Sequence, residues 1–388
     1  MAIEFGTQHK RSARAVRRHL GYSWEQIKAN PDLFYQLDPE KVRKMAERTV
    51  ELLKSGDWHP KPYRHIRKRS PTTGKIREID CPTLRDHIIH WMLILAIKPV
   101  LMRGMYQYSC GSISGRGIEY ARKTLEKWVR RKDSVYFVKL DIRKFYPNID
   151  HNILKAKFRE VIKDQRILGI IDAIIDSLPA GLAIGNYTSQ WFANFYLQSL
   201  DHFILQDNYK LRRGKRVKYV KHYLRYMDDL YLSGSSKHDL EKAVRAIIDY
   251  ARTQCNLEIK PAWEIKSFEE YTLDMVGYRF KPGVTTVRKV IFLHTKRLAK
   301  RIYKVKEKRG IIVPHNAQAI VSQLGWFSHS DDKYFLDMYI NPYINEKEIL
   351  EVISNESKKH SLARIPCSRR HYRRANNGQS LGRDVYGA

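Results

Sequence analysis

Tyr223-Leu224-Arg225-Tyr226-Met227-Asp228-Asp229-Leu230-Tyr231-Leu232 sets two adjacent carboxylates between two runs of aromatic and long apolar residues. The flanks have the composition of short strands, and the acidic pair falls at the bend of a tight hairpin. A carboxylate taken out of water with no partner is costly, so something positive must meet this pair. Mg²⁺ is the natural guest for hard oxygen ligands presented without sulfur or imidazole. Asp-Asp is also an ordinary turn pair, and this stretch alone leaves both readings open.

Composition says what such a guest would serve. The chain of 388 residues carries 72 Lys and Arg against 41 Asp and Glu, a formal net charge of +31, with 24 Tyr, 13 Phe and 7 Trp. That cationic excess predicts a polyanionic partner, and phosphate backbones fit it. Aromatic residues interleaved with Lys and Arg suit single-stranded bases and loops as well. Cys81, Cys110, Cys255 and Cys367 follow no C-x₂-C spacing, so neither a zinc site nor a disulfide framework is expected. The longest apolar run, Ile88 to Ile97, is interrupted by His90 and is too short to span a bilayer. A soluble, cytoplasmic protein of two or three subdomains, without membrane contact, is the expectation.

Upstream, Val135-Tyr136-Phe137-Val138-Lys139-Leu140-Asp141-Ile142-Arg143-Lys144-Phe145-Tyr146 reads as an apolar strand that delivers Asp141 at its end, ahead of a loop and a helix. The C-terminal end of a strand is a usual place for a catalytic carboxylate. Asp141, Asp228 and Asp229 thus make three candidate metal ligands on two strands. Two Mg²⁺ ions bridged by such carboxylates and substrate phosphates provide a route to phosphoryl transfer.

The remaining segments arrange themselves around those strands. Residues 1–20 form a basic arm, either solvated or in contact with RNA. Apolar spacing predicts a helix from Pro39 to Lys54, ended by Ser55-Gly56. Tyr63 to Arg69 and Lys75 to Ile79 form a cationic ribbon around a turn at Ser70 to Gly74, a solvated hairpin or a clamp for a triphosphate or nucleic acid. Leu84 to Pro99 reads as a helix apolar on nearly all faces, hence buried, with His87 and His90 packed or at its surface. Gly111 to Gly117 is a Gly/Ser loop that lacks the Walker form. Gly181 to Leu197 is a glycine loop opening a helix whose small and polar residues suit the underside of a base pair. Leu240 to Tyr250 is helical, Leu257 to Lys260 a strand, and Leu273 to Phe280 a strand or hairpin. Basic helices follow Val287 up to about Leu350, and residues 358–388 form a basic tail, disordered or ordered by nucleic acid.

Taken together, the order of these motifs resembles the reverse transcriptase family over roughly residues 60–330. Tyr226-Met227-Asp228-Asp229 matches the family's signature tetrapeptide, and Asp141 matches its first catalytic aspartate. The resemblance implies catalytic roles for Asp141, Asp228, Asp229 and Lys260, the last protonating the pyrophosphate leaving group. Two Mg²⁺ ions, with Mn²⁺ as a substitute, would be held by the three aspartates and the Ile142 carbonyl. The dNTP site would comprise Arg67, Lys75, Arg77, the steric gate Tyr146, and Gly185, Ser189 and Gln190. Met275-Val276-Gly277-Tyr278 is similar to the primer-grip hairpin.

The implied fold is α+β, a right hand with a palm of antiparallel strands packed on helices. Its expected division is a basic helical extension (1–60), fingers (61–130), a palm (131–280) with inserted fingers helices at about 150–185, a helical thumb (281–350) and a basic tail (351–388). Ile184-Gly185 replaces the family's frequent Gln-Gly, and Gln190 stands where Pro is frequent. The Gly-x-x-x-Ser-Gln form is similar to diversity-generating retroelement enzymes and to several bacterial defence-associated reverse transcriptases. No Val-Thr-Gly segment of the retron type occurs, and an RNase H, endonuclease or integrase region is not expected.

The expected activity is RNA-templated DNA synthesis in a bacterial or phage setting, on a structured non-coding RNA in anti-phage defence. Mutagenic cDNA synthesis in a diversity-generating element is the alternative. Expected partners are the RNA template, a DNA product or RNA–DNA hybrid, dNTPs, and an accessory protein or a second copy of the chain. A catalytically silent RNA scaffold is a different class of reading, against which the intact set of carboxylates argues. Tyr146 argues against RNA-templated RNA synthesis.

Overall fold

In a computed structural model that describes residues 39–69, 74 and 76–361, the chain forms a mixed sheet sandwiched between two apolar cores. The expected basic arm, Lys75 and the tail beyond residue 361 lie outside the described residues. The central sheet has the order β3 (Ser109–Cys110), β7 (His222–Tyr226), β8 (Asp229–Gly234), β4 (Tyr136–Asp141) and β9 (Lys266–Ser267). All neighbours are antiparallel except β3 and β7. This is an α+β palm.

Side chains alternate across a strand, so each strand feeds both cores. Val138, Leu140, Leu230 and Leu232 face a helical layer of α2 (Leu84–Arg103), α4 (His151–Val161), α5 (Gln165–Ile175), α6 (Tyr187–Tyr196) and α8 (Lys237–Cys255). Phe137, Leu224 and Tyr231 face the opposite core, built from α3 (Ile118–Val129) and a three-stranded sheet. That second sheet comprises β10 (Leu273–Met275), β11 (Tyr278–Lys281) and β12 (Val284–Val287). Beyond it lie the helices α9 (Lys289–Arg309), α10 (Pro314–Leu324), α11 (Lys333–Tyr339) and α12 (Glu346–Ser361). The expected palm–thumb division at 280 therefore falls inside a sheet, and the helical part begins at Lys289.

Local rules account for the element ends. Asp150 and Asp164 each accept two backbone N–H bonds at the starts of α4 and α5, and Ser236 caps α8. α8 stops at Asn256 in the left-handed region, with φ 46°. α1 (Pro39–Ser55) follows the expected spacing, α7 (Gln198–His202) carries Asp201, and β5 (Tyr209–Arg212) pairs with β6 (Lys215–Lys218) as a separate ribbon.

Two expectations need correction. α2 does not end at Pro99 but runs through it to Arg103. Proline inside a helix costs about 3 kcal/mol, and here burial of Ile97 and Leu101 on either side outweighs it. Leu257 to Lys260 is not a strand. Its pairing with the end of β4 is the single bridge Ile142↔Ile259, flanked by the Arg143 N–H to Glu258 carbonyl and Lys260 N–H to Asp141 carbonyl hydrogen bonds.

The cationic ribbon, β1 (Arg64–Arg69) with β2 (Ile76–Cys81), is tied down at its base. Asp80 donates its N–H to the Ile184 carbonyl at 2.8 Å and accepts the Ile184 N–H through its carboxylate at 3.2 Å. Gly185 lies so close that a Cβ there would meet Ile79 Cγ2 at 2.6 Å, and its φ of 118° excludes most L side chains. Among the described residues no helix is long and apolar enough to cross a membrane.

Candidate active site

The β4–β8 register brings Asp141 directly opposite Asp229. Cβ atoms of opposed residues in an antiparallel pair stand about 5 Å apart on the same face. Both carboxylates, and Lys139 two residues before Asp141, therefore share the face of Phe137 and Tyr231. Apolar packing covers that face at the far end and stops here, leaving Asp141 and Asp229 half-exposed. Asp228 is outside the ladder. It occupies the two-residue turn Met227-Asp228 that joins Tyr226 to Asp229, with Met227 at φ 55°.

Electrostatics divides the three acids. Lys260 Nζ lies 2.7 Å from Asp141 Oδ2, and Lys139 Nζ lies 3.1 Å from Asp229 Oδ1. Burial pushes the Asp228 carboxyl above its usual range, helped by the negative charges of Asp229 and Asp141 and opposed in part by Lys260. Among the described residues no three of His, Cys, Asp or Glu are gathered into a metal cage. At this centre two of the three acids are held by lysines. The all-oxygen donor set and the charge pressure on Asp228 nevertheless fit a divalent cation. Lys139 was not among the candidates read from the sequence, although its alternation with Asp141 along one strand face would have found it.

The other expected residues fall into three groups. Tyr146 opens a single 3-10 turn after β4 (Tyr146–Asn148), and its side chain feels the charge of Asp228. Burial raises its phenol well above the usual range. Its carbonyl accepts the Leu182 N–H at 2.9 Å, and Gly181, at φ 67°, fits against it where a Cβ would meet that carbonyl at 2.5 Å. Gly185 is exposed on the loop before α6, while Ser189 is buried and Gln190 half-buried in its first turns. Met275 to Tyr278 form the β10–β11 turn, with Val276 at φ 47° and Gly277 at φ 89°. A β-branched residue in the left-handed region is a true outlier. Trp326 packs against this turn: a Cβ on Gly277 would meet its ring at 2.5 Å, and Tyr278 Oη donates to its carbonyl at 3.0 Å.

The ribbon does not bring its two described candidates together. Arg67 pairs in register with Glu78, and Lys68 with Arg77, so Arg67 and Arg77 point to opposite faces. Arg67 Nε also donates to Glu78 Oε1 at 2.9 Å. The Ile142 backbone is engaged through its N–H, which donates to the Asp228 carbonyl at 3.3 Å.

The palm thus carries Asp141 at the end of one strand, Asp229 opposite it at the start of the next, and Asp228 in the adjoining turn. Residues 66–279, more than half of the chain, match the family described as Reverse transcriptase (RNA-dependent DNA polymerase). The chain belongs to that family. It is 23% identical over 234 residues to the group II intron-encoded protein LtrA of Lactococcus lactis, an alignment covering 57% of this chain and 38% of LtrA. It is 22% identical over 239 residues to protein YkfC of Escherichia coli K12, covering 53% of this chain and 60% of YkfC. The chain thus spans less than two thirds of the length of these curated relatives. Among solved structures it is similar to the telomerase of Candida albicans bound to a fragment of telomeric RNA. The TM-score there is 0.45 with 11% identity, over 88% of this chain and 68% of that one.

The charge pressure on Asp228 has a measurable consequence. A carboxyl raised in the folded state holds its proton longer there than in the unfolded chain. Its contribution to stability is full at low pH and is lost as pH rises through the folded value. Asp228→Asn should therefore raise the Tm of the metal-free protein at pH 8 by a few degrees, with the gain shrinking towards pH 4. Thermal melts in chelator across that range check it.

Proposed function

We propose that this chain carries out RNA-templated DNA synthesis from dNTPs. The observation that supports it most directly is the β4–β8 pairing of Asp141 with Asp229, with Asp228 at the adjoining turn. Asp141, Asp228, Asp229 and the Ile142 carbonyl are the proposed holders of two Mg²⁺ ions, which when bound would supply the charge that aligns the 3′-hydroxyl and neutralises pyrophosphate. Lys260 is the proposed proton donor to the departing pyrophosphate, and its ammonium against Asp141 supports that role. Lys139 holds Asp229 from the same strand face.

Substrate selection is assigned to the residues around that centre. Tyr146 is the proposed gate against a ribose 2′-hydroxyl, its backbone fixed by the close approach of Gly181 and Leu182. Gly185, Ser189 and Gln190 are proposed to lie beneath the nascent base pair. Arg77 and Lys75, with Arg67 on the other ribbon face, are the proposed contacts to the triphosphate. Met275 to Tyr278 form the proposed primer grip.

The proposed template is a dedicated structured RNA. A net charge of +31 supports a large phosphate partner. A groove of about 740 Å³ between α9 and α10, lined by Arg297, Lys300, Arg301, Lys304, Lys308 and Arg309, supports it too. Anti-phage defence is the proposed role, with diversification as the second reading because Gly185-x-x-x-Ser189-Gln190 suits both.

Removing the turn acids gives the direct test. Asp228→Ala with Asp229→Ala should cut Mg²⁺-dependent dNTP incorporation to below about one thousandth of wild type while leaving RNA binding in place. Incorporation that survives this change would refute the assignment. Tyr146→Ala should lower the preference for dNTP over rNTP about a hundredfold in single-nucleotide extension, since only bulk against the 2′-hydroxyl is removed. Sequencing nucleic acid that copurifies with the protein should return one structured non-coding RNA and its cDNA. Mutated copies of a repeat would instead favour diversification.

A further inference from the structure

Asp141 and Asp229 are fixed by the strand ladder, whereas Asp228, in the turn, is not. What holds it lies under the other face of the sheet. Arg225 alternates with Tyr223 towards the helical core and is completely buried, as is Asp201. All five guanidinium N–H donors are satisfied. Nε and Nη2 donate to the two Asp201 oxygens at 2.8 and 2.7 Å, and Nη2 also donates to Ser109 Oγ at 3.0 Å. Nη1 donates to Asn194 Oδ1 at 2.9 Å and to the Met227 carbonyl at 3.1 Å.

Asp201 in turn accepts from Ser109 Oγ and Tyr223 Oη. Asn194 closes the circuit: its amide nitrogen donates to the carbonyls of Gly111 and Gln190 at 3.2 and 3.1 Å.

Taking such a pair out of water is expensive, and an apolar pair of similar volume is often as stable or more so. Stability alone is therefore a poor reason for an arginine here. Its position offers a better one. The Met227 carbonyl heads the peptide unit that enters Asp228, and the Asp228 carbonyl, on the next unit, accepts the Ile142 N–H. Both peptide units of Asp228 are thus clamped, one by Arg225 and one by β4. Through Asn194 the same clamp reaches the helix that carries Gln190 and the Gly111 loop.

We infer that Arg225 is a positioning residue: braced by Asp201, it sets the height of the Met227-Asp228 turn and couples that turn to the helix bearing Gln190. The inference rests on the polymerase reading above. Arg225→Lys keeps the charge against Asp201 but loses the planar fork. It should keep a cooperative thermal melt and leave primer–template affinity and dNTP KM within about threefold of wild type. Its kcat should fall about a hundredfold, as expected for a reacting group displaced by about 1 Å. The paired variant Arg225→Met with Asp201→Leu, which removes both buried charges, should show the same split.

A folded variant with wild-type kcat overturns the inference. So does failure of both variants to fold, which would make the network simply structural. Amide hydrogen exchange separates this outcome from failure of the polymerase reading. If the wild-type chain incorporates no dNTP, the polymerase reading fails, yet faster exchange of residues 226–229 in either variant, with residues 136–141 unchanged, still supports the clamp. Unchanged exchange at 226–229 overturns it.

Discussion

One cross-strand pairing governs the centre of this molecule: Asp141 on β4 stands opposite Asp229 on β8. Because side chains alternate faces with period two, a slip of one residue would send one carboxylate to the other side of the sheet. The reverse face of β4 and β8 is packed on the helical core, so the slip would also turn Val138 and Leu140 out of that core and Lys139 into it. Packing far from the carboxylates is thus what keeps them together. The same ladder carries Lys139 to Asp229, and the short Leu257–Lys260 segment, joined to the end of β4 by one bridge, carries Lys260 to Asp141.

Charge is distributed in layers. The strongly cationic chain sets Asp141 and Asp229 on the side of the sheet where apolar cover stops. Two lysines compensate two of the acids, and the third, Asp228, is left with a raised carboxyl. On the reverse side the compensation is complete, since Arg225, Asp201, Ser109, Asn194 and Tyr223 leave no guanidinium donor unmet. A fully satisfied buried network is rigid, whereas the half-exposed acids retain capacity for a cation.

Much of the fold and of the candidate site was legible in the sequence. Asp228-Asp229 alone read equally well as an ordinary turn pair, and it was Asp141 at the end of a second apolar strand that made the three acids stand out together. Helices such as Pro39–Ser55 and Lys237–Cys255 carried clear periodicity. Other features were illegible for physical reasons. Pro99 looked like a stop because local propensity opposes it, and only burial on both sides overrides that cost. Leu257 to Lys260 had strand composition but meets β4 at a single bridge. Arg67 and Arg77 looked like one clamp until the ribbon register placed them on opposite faces.

The sequence by itself determined the chemical inventory: three carboxylates, a gate-sized aromatic, a glycine loop and an excess of cations, in an order similar to one family. These are local quantities, set by residue type and spacing along the chain. Tertiary structure decided which of them meet. It opposed Asp141 and Asp229, brought Lys139 and Lys260 onto two acids, and placed Trp326 over the Val276-Gly277 turn. It also joined Arg225 to Asp201 and Asn194, residues of a helical layer whose spacing in the chain says nothing of the contact. Register, burial and long-range pairing depend on how two cores close around one sheet, and no window of sequence contains that information.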